Sequence, residues 1–236
     1  MRVKVTLAYN GTSYLGSQRQ KSSINTVNGQ IELVLKRLNI NTKLVASGRT
    51  DKGVHATGQV IHIDIPLFWN DIKKLQDVLN KMLPKSIAIK NIQNVNDNFH
   101  ARYDAKKRVY RYIIKNEPSN PFEDELVSFY PNIDLANIKE NVKLFEGRYD
   151  FESFIKKGSD TKSTIREIYK ALTYTHKGYT VLYFEANGFL RSQIRLMVGA
   201  LLTLDAKEIQ EQLRLEVKHK IKPAKANGLY LAKIKY

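Results

Sequence analysis

Apolar and polar residues alternate with period two over Arg2–Tyr9, Gln59–Ile65 and Ile87–Val95, the spacing of half-buried strands. Between them the period changes. Val27, Ile31, Val34, Leu35 and Leu38 recur at helical spacing behind Thr26, a good N-cap residue. Ile72, Leu75, Val78, Leu79 and Met82 form a second stripe, opened by Asn70 and stopped by Pro84. With a short apolar segment at Leu44–Ala46, the first half reads β, α, β, β, α, β.

The second half repeats that order loosely, without a repeat at the level of residues. A strand over 106–114 puts Val109, Arg111 and Ile113 on one side and Arg108, Tyr110, Tyr112 and Ile114 on the other, so one face carries Arg with two aromatics. A helix follows from Asp134 to Phe145, closing at Gly147. A hairpin of 165–174 and 179–186 turns at Lys177-Gly178. The run 189–202 reads as a helix with Arg191 and Arg195 one turn apart, and a short helix over 205–215 precedes a last strand near 229–234. The fold class is therefore α+β: two similar halves, 1–105 and 106–236, each a largely antiparallel sheet with helices on one face. The expectation is that the two sheets meet at a central active-site cleft and act as one catalytic unit.

Composition adds a partner class. Of 236 residues, 42% are hydrophobic, which fits a globular chain with a real core. No apolar run approaches membrane-spanning length, and the first residues alternate like a strand where a signal peptide would have an apolar block. No membrane and a cytoplasmic location are the expectations. Thirty-nine Lys and Arg against 23 Asp and Glu leave a net charge of +16, a field that favours nucleic acid over other partners.

The chemistry is narrowed mostly by exclusion. There is no cysteine, so disulfides, iron–sulfur clusters and thiolate zinc sites are ruled out. His55, His62, His100, His176 and His219 are scattered without metal-ligand spacing. No G-x-S-x-G elbow, P-loop or G-x-G-x-x-G occurs. Three features remain: Asp51 beside Arg49 in a loop bracketed by Gly48 and Gly53, the Arg108/Tyr110/Tyr112 strand, and Arg191/Arg195 after Asn187-Gly188-Phe189. Each alone is ordinary: a polar turn, a packed strand tyrosine, a solvated helix face. Together they offer an ionised carboxylate, stacking surfaces and cations, which suits an unstacked or flipped-out nucleotide.

These segments carry a resemblance that runs almost end to end. Gly48-Arg49-Thr50-Asp51-Lys52-Gly53-Val54-His55-Ala56 resembles the G-R-T-D-x-G-V-H-A signature of the bacterial tRNA pseudouridine synthase A family. Phe99–Arg102, Arg108–Tyr112, Asp150–Phe154, Asn187–Gly199 and Gly228–Leu231 resemble the other segments of that family. Two positions depart from it. Ser17 stands where the family usually has Trp, with altered RNA contacts in the N-terminal loop as the expectation. Gln193 stands where it usually has Met, with looser packing or a changed helix surface expected.

The resemblance implies the pseudouridine synthase fold and an isomerase that converts uridine to pseudouridine in the anticodon stem-loop of tRNA, at positions 38, 39 and 40. It implies no cofactor, no metal and a homodimer with tRNA bound across both subunits. The implied catalytic residues are Asp51 as the carboxylate, Tyr110 stacking on the uracil and assisting proton transfer, and Arg195 pairing with Asp51. Substrate contacts are expected from Arg49, Arg102, Arg108, Tyr110, Phe189 and Gln18. Attack on the sugar and formation of a glycal both stay open as the first step. A ribosomal RNA substrate, or a non-catalytic RNA-binding module, stands as the alternative.

Overall fold

The computed structural model describes residues 1–159 and 161–236. They form two compact units, Met1–Lys106 with Tyr230–Tyr236, and Lys107–Leu229. The terminal strand, expected in the second half, thus lies in the first unit.

In the first unit, β1 (Arg2–Tyr9) and β3 (His55–Asp64) pair antiparallel, and β4 (Ile87–Asn94) flanks β1 antiparallel on its other edge. The two-residue β2 (Val45–Ala46) adds to β3. Alternation along β1 buries Val3, Val5, Leu7 and Tyr9, while their neighbours in sequence stay half-exposed. The register then puts Gln59, Ile61 and Ile63 opposite Leu7, Val5 and Val3, so one face of the sheet is apolar. Helices α1 (Val27–Arg37) and α2 (Ile72–Met82) contribute the matching stripes, Val27, Ile31, Val34 and Leu35 from one and Leu75 and Leu79 from the other.

Thr26 caps α1 through its hydroxyl, which accepts the Gly29 N–H at 3.1 Å. The cap of α2 is Asp71 in place of the expected Asn70, because the Asp71 carboxylate accepts from Lys74 N–H at 2.9 Å and Leu67–Trp69 already turns as a 3₁₀ segment. The final strand, β10 (Leu229–Lys235), returns to this unit in parallel with β3, pairing Tyr230 with His55 and Leu231 with Ala56.

In the second unit, β5 (Lys107–Lys115) pairs antiparallel with β9 (Tyr179–Ala186), β9 with β8 (Ile165–His176), and β8 with β7 (Gly147–Asp150). The two-residue β6 (Ser128–Phe129) lies parallel to β5. The β8–β9 hairpin turns at Lys177 and Gly178 with φ of 49° and 80°, the left-handed pair that matches strand twist. Helix α3 (Leu135–Asn141) is shorter than the expected span, because Val142–Phe145 tightens to a 3₁₀ turn. Helix α4 (Gln193–Thr203) is apolar on most sides, and α5 (Ala206–Leu213) opens with a reciprocal capping box between Asp205 and Glu208.

The core of this unit is aromatic. Phe145, Phe151 and Phe154 are fully buried and meet edge to face, with centroids 5.5 Å apart for Phe145–Phe154 and 5.9 Å for Phe151–Phe154. Burying each such ring contributes about 1.5–3 kcal/mol. The Asp150–Phe154 segment, matched above to a family motif, therefore acts through packing.

One close approach in the first unit gives a test. A Cβ built on Gly58 would sit 2.2 Å from the carbonyl oxygen of Ala232 on β10. Gly58→Ala must push β3 and β10 apart, and the expected cost is about 1–3 kcal/mol. Thermal unfolding should show a midpoint lower by several degrees. An unchanged midpoint would contradict the close packing of these two strands.

Candidate active site

The loop carrying Asp51 is held from beneath by buried polar groups. Ser17, 1% exposed, donates its backbone N–H to Thr50 O at 3.0 Å and accepts the Thr50 N–H on its Oγ at 2.8 Å. The Thr50 hydroxyl shares a 2.8 Å hydrogen bond with Tyr9 Oη. Burial pushes the Tyr9 phenol up to about 12, so it stays neutral as a partner for that hydroxyl. Two residues before Arg49, Ser47 Oγ donates to Gln59 Oε1 at 2.7 Å, and Gln59 Nε2 donates to Gly48 O at 3.0 Å. After the carboxylate, Val54 N–H closes a turn onto Asp51 O at 3.1 Å, with Gly53 at φ 76°. Asp51 is half-exposed between buried Thr50 and exposed Lys52, and Arg49 is exposed.

The next signature residue is structural. His55 is fully buried, accepts the Gly11 N–H on Nδ1 at 3.0 Å and stacks on Tyr230 at 4.7 Å. Ser17 gave no sign in the sequence of being a scaffold residue. The expectation for it is altered RNA contacts in the N-terminal loop, and the structure buries it. Gln18, the next residue, is exposed.

Arg102 sits on an exposed loop pinned to the same sheet, its guanidinium carbon 5.9 Å from the Tyr103 ring. The Ala101 N–H donates to His62 Nδ1 at 3.0 Å, and Tyr236 Oη donates to Ala101 O at 2.8 Å. Arg2 forks onto Asp64 at 2.8 and 2.9 Å and also donates to Phe99 O at 3.1 Å. Burial, with Arg2 and His100 nearby, holds the His62 pKa below its ordinary value.

In the second unit the strand and the Asn-Gly turn converge. Tyr110 is half-buried and meets Phe189 edge to face at 5.3 Å. Arg108 Nη1 donates to Asn187 O at 2.7 Å, and Asn187 is fixed by its own N–H onto Glu167 O at 3.1 Å. The expected partnership of Tyr110 with Tyr112 does not hold. Tyr112 is fully buried, and its hydroxyl bonds Ser128 Oγ and Lys225 O, each at 2.8 Å. It is a core residue, because the β5 face that is open at Tyr110 is covered at Tyr112.

Arg191 also departs from expectation. Ser192 takes φ 60°, so the helix begins only at Gln193 and Arg191 lies exposed before it. Gln193 is responsible: fully buried, its Oε1 accepts the Leu190 N–H at 2.8 Å and its Nε2 lies 3.7 Å from Met197 Sδ. Packing there is polar and satisfied, not loosened. Arg195, half-buried in the first turn of α4, donates from Nε to Ala224 O at 2.7 Å, and Ala224 N–H returns a bond to Arg195 O at 2.8 Å. A cation in a helix's first turn opposes the helix dipole by about 0.3–1 kcal/mol.

Among the described residues, no three His, Asp or Glu lie close enough to hold a metal ion, and no helix is long and apolar enough to cross a membrane.

A family model described as tRNA pseudouridine synthase matches residues 6–104 and 142–236. The chain is 38% identical over 241 residues to the tRNA pseudouridine synthase A of Campylobacter jejuni (strain RM1221), covering 100% of both chains. It is 38% identical over 235 residues to that of Wolinella succinogenes, covering 98% of this chain and 92% of the other. With that of Streptococcus pyogenes serotype M49 it shares 35% over 248 residues, covering 100% and 99%.

Two outcomes follow from the scaffold. Ser17→Ala leaves the buried Thr50 N–H without its acceptor, an expected cost of about 1–3 kcal/mol. Turnover should fall several-fold with KM little changed, and wild-type turnover would show that the loop does not depend on Ser17. For His62 the folded pKa lies below the ordinary 6.5, so the unfolded chain binds the proton more readily. Its contribution to stability is complete above that value and is lost as pH falls below it. Denaturation midpoints from pH 8 to 5 should fall less in His62→Gln than in the wild type. Equal slopes would remove His62 as a source.

Proposed function

The chain belongs to the tRNA pseudouridine synthase family, and we propose that it isomerises uridine to pseudouridine in tRNA, at positions 38, 39 and 40 of the anticodon stem-loop. The observation that carries the reading is the polar scaffold under Ser47–Thr50, which commits five buried side chains, those of Tyr9, Ser17, Ser47, Thr50 and Gln59, to fixing the loop on which Asp51 stands. A simple surface turn has no need of that many satisfied buried groups.

Pseudouridine has the same atoms as uridine, so the reaction breaks the N1–C1′ bond and joins C1′ to C5 after the uracil turns over. Asp51 is the carboxylate for this step, acting on the sugar either as nucleophile at C1′ or as base. Tyr110 offers a half-buried ring for the uracil, braced edge to face by Phe189, and its hydroxyl serves proton transfer at C5. Arg195 is, on the family resemblance, the cation that keeps Asp51 charged through turnover. The exposed Arg49, Arg102 and Gln18 and the half-buried Arg108 meet the RNA. The +16 charge supports phosphate-led binding, and flipping the base out costs a few kcal/mol that stacking and cations offset. No cofactor enters this chemistry. Cytoplasmic location and a homodimer with tRNA across both subunits complete the reading, the homodimer resting on the family resemblance.

The test is pseudouridine mapping on a tRNA pool treated with the purified chain. Asp51→Asn should lower turnover at least about a thousandfold while RNA affinity stays within a few-fold. Tyr110→Phe should keep affinity and lose rate. Turnover retained in Asp51→Asn would refute the assignment of the carboxylate, and an unaffected Tyr110→Phe would remove the proton-transfer role.

A further inference from the structure

Three arginines gather in the second unit, and of these only Arg108 is used above. Arg148 on β7 and Arg166 on β8 line a cavity of about 210 Å³ together with Ser163, Glu167 and Asn187. Arg108, on β5, reaches the same corner by donating to Asn187 O at 2.7 Å. Arg166 lies along Gly188, where a Cβ would sit 3.7 Å from its Nε. It is held in place by donating from Nη1 to Ser163 O at 3.0 Å and to Ile165 O. The cavity wall is mostly polar, and Arg166 is half-buried in it.

Like charges are gathered here against their own repulsion. Arg166 is close enough to Arg108 that burial, together with the neighbouring charge, lowers its pKa. Among the described residues, neither Arg148 nor Arg166 is in an ion pair. One carboxylate, Glu167, lines the cavity and stands opposite Arg148 in the β7–β8 register. Arg148 and Arg166 face that one carboxylate, so the cavity lining carries an excess of positive charge. A folded chain keeps such a cluster at a cost unless an anion relieves it.

The anion's class follows from the donors and their setting. Planar guanidinium forks suit the tetrahedral oxygens of a phosphate, two at a time. The cavity flanks the Asn187-Gly188 turn, and the next residue, Phe189, braces Tyr110. We infer that Arg108, Arg148 and Arg166 form a phosphodiester subsite, which grips the RNA backbone beside the nucleotide held at Tyr110. This rests on the reading of the chain as an RNA-modifying enzyme and adds Arg148 and Arg166 to its binding residues. Arg166 is the built-in member, anchored by two carbonyls. Arg148 is exposed and closes on the backbone from the rim.

The test uses the full chain and tRNA, with affinity measured across salt concentrations. Each phosphate the protein no longer neutralises should lower the slope of log K against log salt by about 0.7–0.9. Arg148→Gln and Arg166→Gln should each show that drop and about a tenfold loss of affinity at moderate salt. Arg166→Lys, which keeps the charge without the fork, should recover part of the slope. Arg214→Gln removes an exposed arginine of the same unit, paired with Glu216, and serves as the control for charge alone. If both glutamine variants behave like that control, the subsite is wrong. Arg148 is exposed, so its variant decides the matter even if Arg166→Gln folds poorly. Pseudouridine formation is scored in the same samples. A wild-type chain that modifies tRNA beside variants with unchanged slopes refutes the subsite alone. A wild-type chain that modifies nothing, with the slopes still separated, refutes the function and leaves the subsite standing.

Discussion

The constraint on which the site depends is the double hydrogen bond between Ser17 and Thr50. One residue supplies both an N–H and a hydroxyl, and it takes both the carbonyl and the N–H of the other. A loop whose two neighbouring backbone groups are both satisfied inside the protein cannot drift without exposing them or leaving them bare, at about 1–3 kcal/mol for each buried group. Tyr9 and Gln59 extend the same constraint to the Thr50 hydroxyl and to Gly48 O. Asp51 thus inherits a fixed position from neighbours that are themselves chemically inert. The network is satisfied throughout, as a buried polar network must be to rigidify a site rather than weaken it.

The second unit solves a different problem, which is to present an aromatic face and cations without collapsing them into the core. Along β5 the same strand face changes character within two residues, from half-buried Tyr110 to fully buried Tyr112. The Tyr112 hydroxyl is consumed by Ser128, Tyr130 and Lys225, whereas the Tyr110 ring is braced by Phe189. Gln193 sets up that brace. By capturing the Leu190 N–H it turns the chain before α4 and fixes the segment from Phe189 onward. A methionine there would supply apolar volume and no comparable acceptor. Position 193 in this chain therefore has a hydrogen bond in place of a dispersion contact.

Much of the fold was legible. Period-two alternation located β1 and β4 almost to the residue, and helical spacing behind Thr26 located α1. The errors have physical causes. Periodicity alone cannot see the left-handed Ser192, so Arg191 was placed on a helix it precedes. The two-residue β2 and β6 carry too few positions for any period, and of these β6 was missed. The proposed site was legible only in part. The Asp51 loop and the Tyr110 strand were visible, but each alone reads as an ordinary turn or packed tyrosine, and their proposed roles come from the resemblance. Ser17 and Gln59 were not visible, because a buried polar side chain announces itself by its partners, and those lie 33 and 12 residues away in sequence. The grouping of Arg148 and Arg166 was hidden for the same reason: it is made by strand pairing between β7 and β8.

One chemistry on one class of RNA is the central claim, and cells test it most directly. Pseudouridine should be mapped in both tRNA and ribosomal RNA from a strain lacking the protein, with and without the gene restored. The predicted result is loss at tRNA positions 38, 39 and 40, return on restoration, and an unchanged ribosomal profile. Loss confined to ribosomal RNA, with tRNA untouched, would contradict the claim.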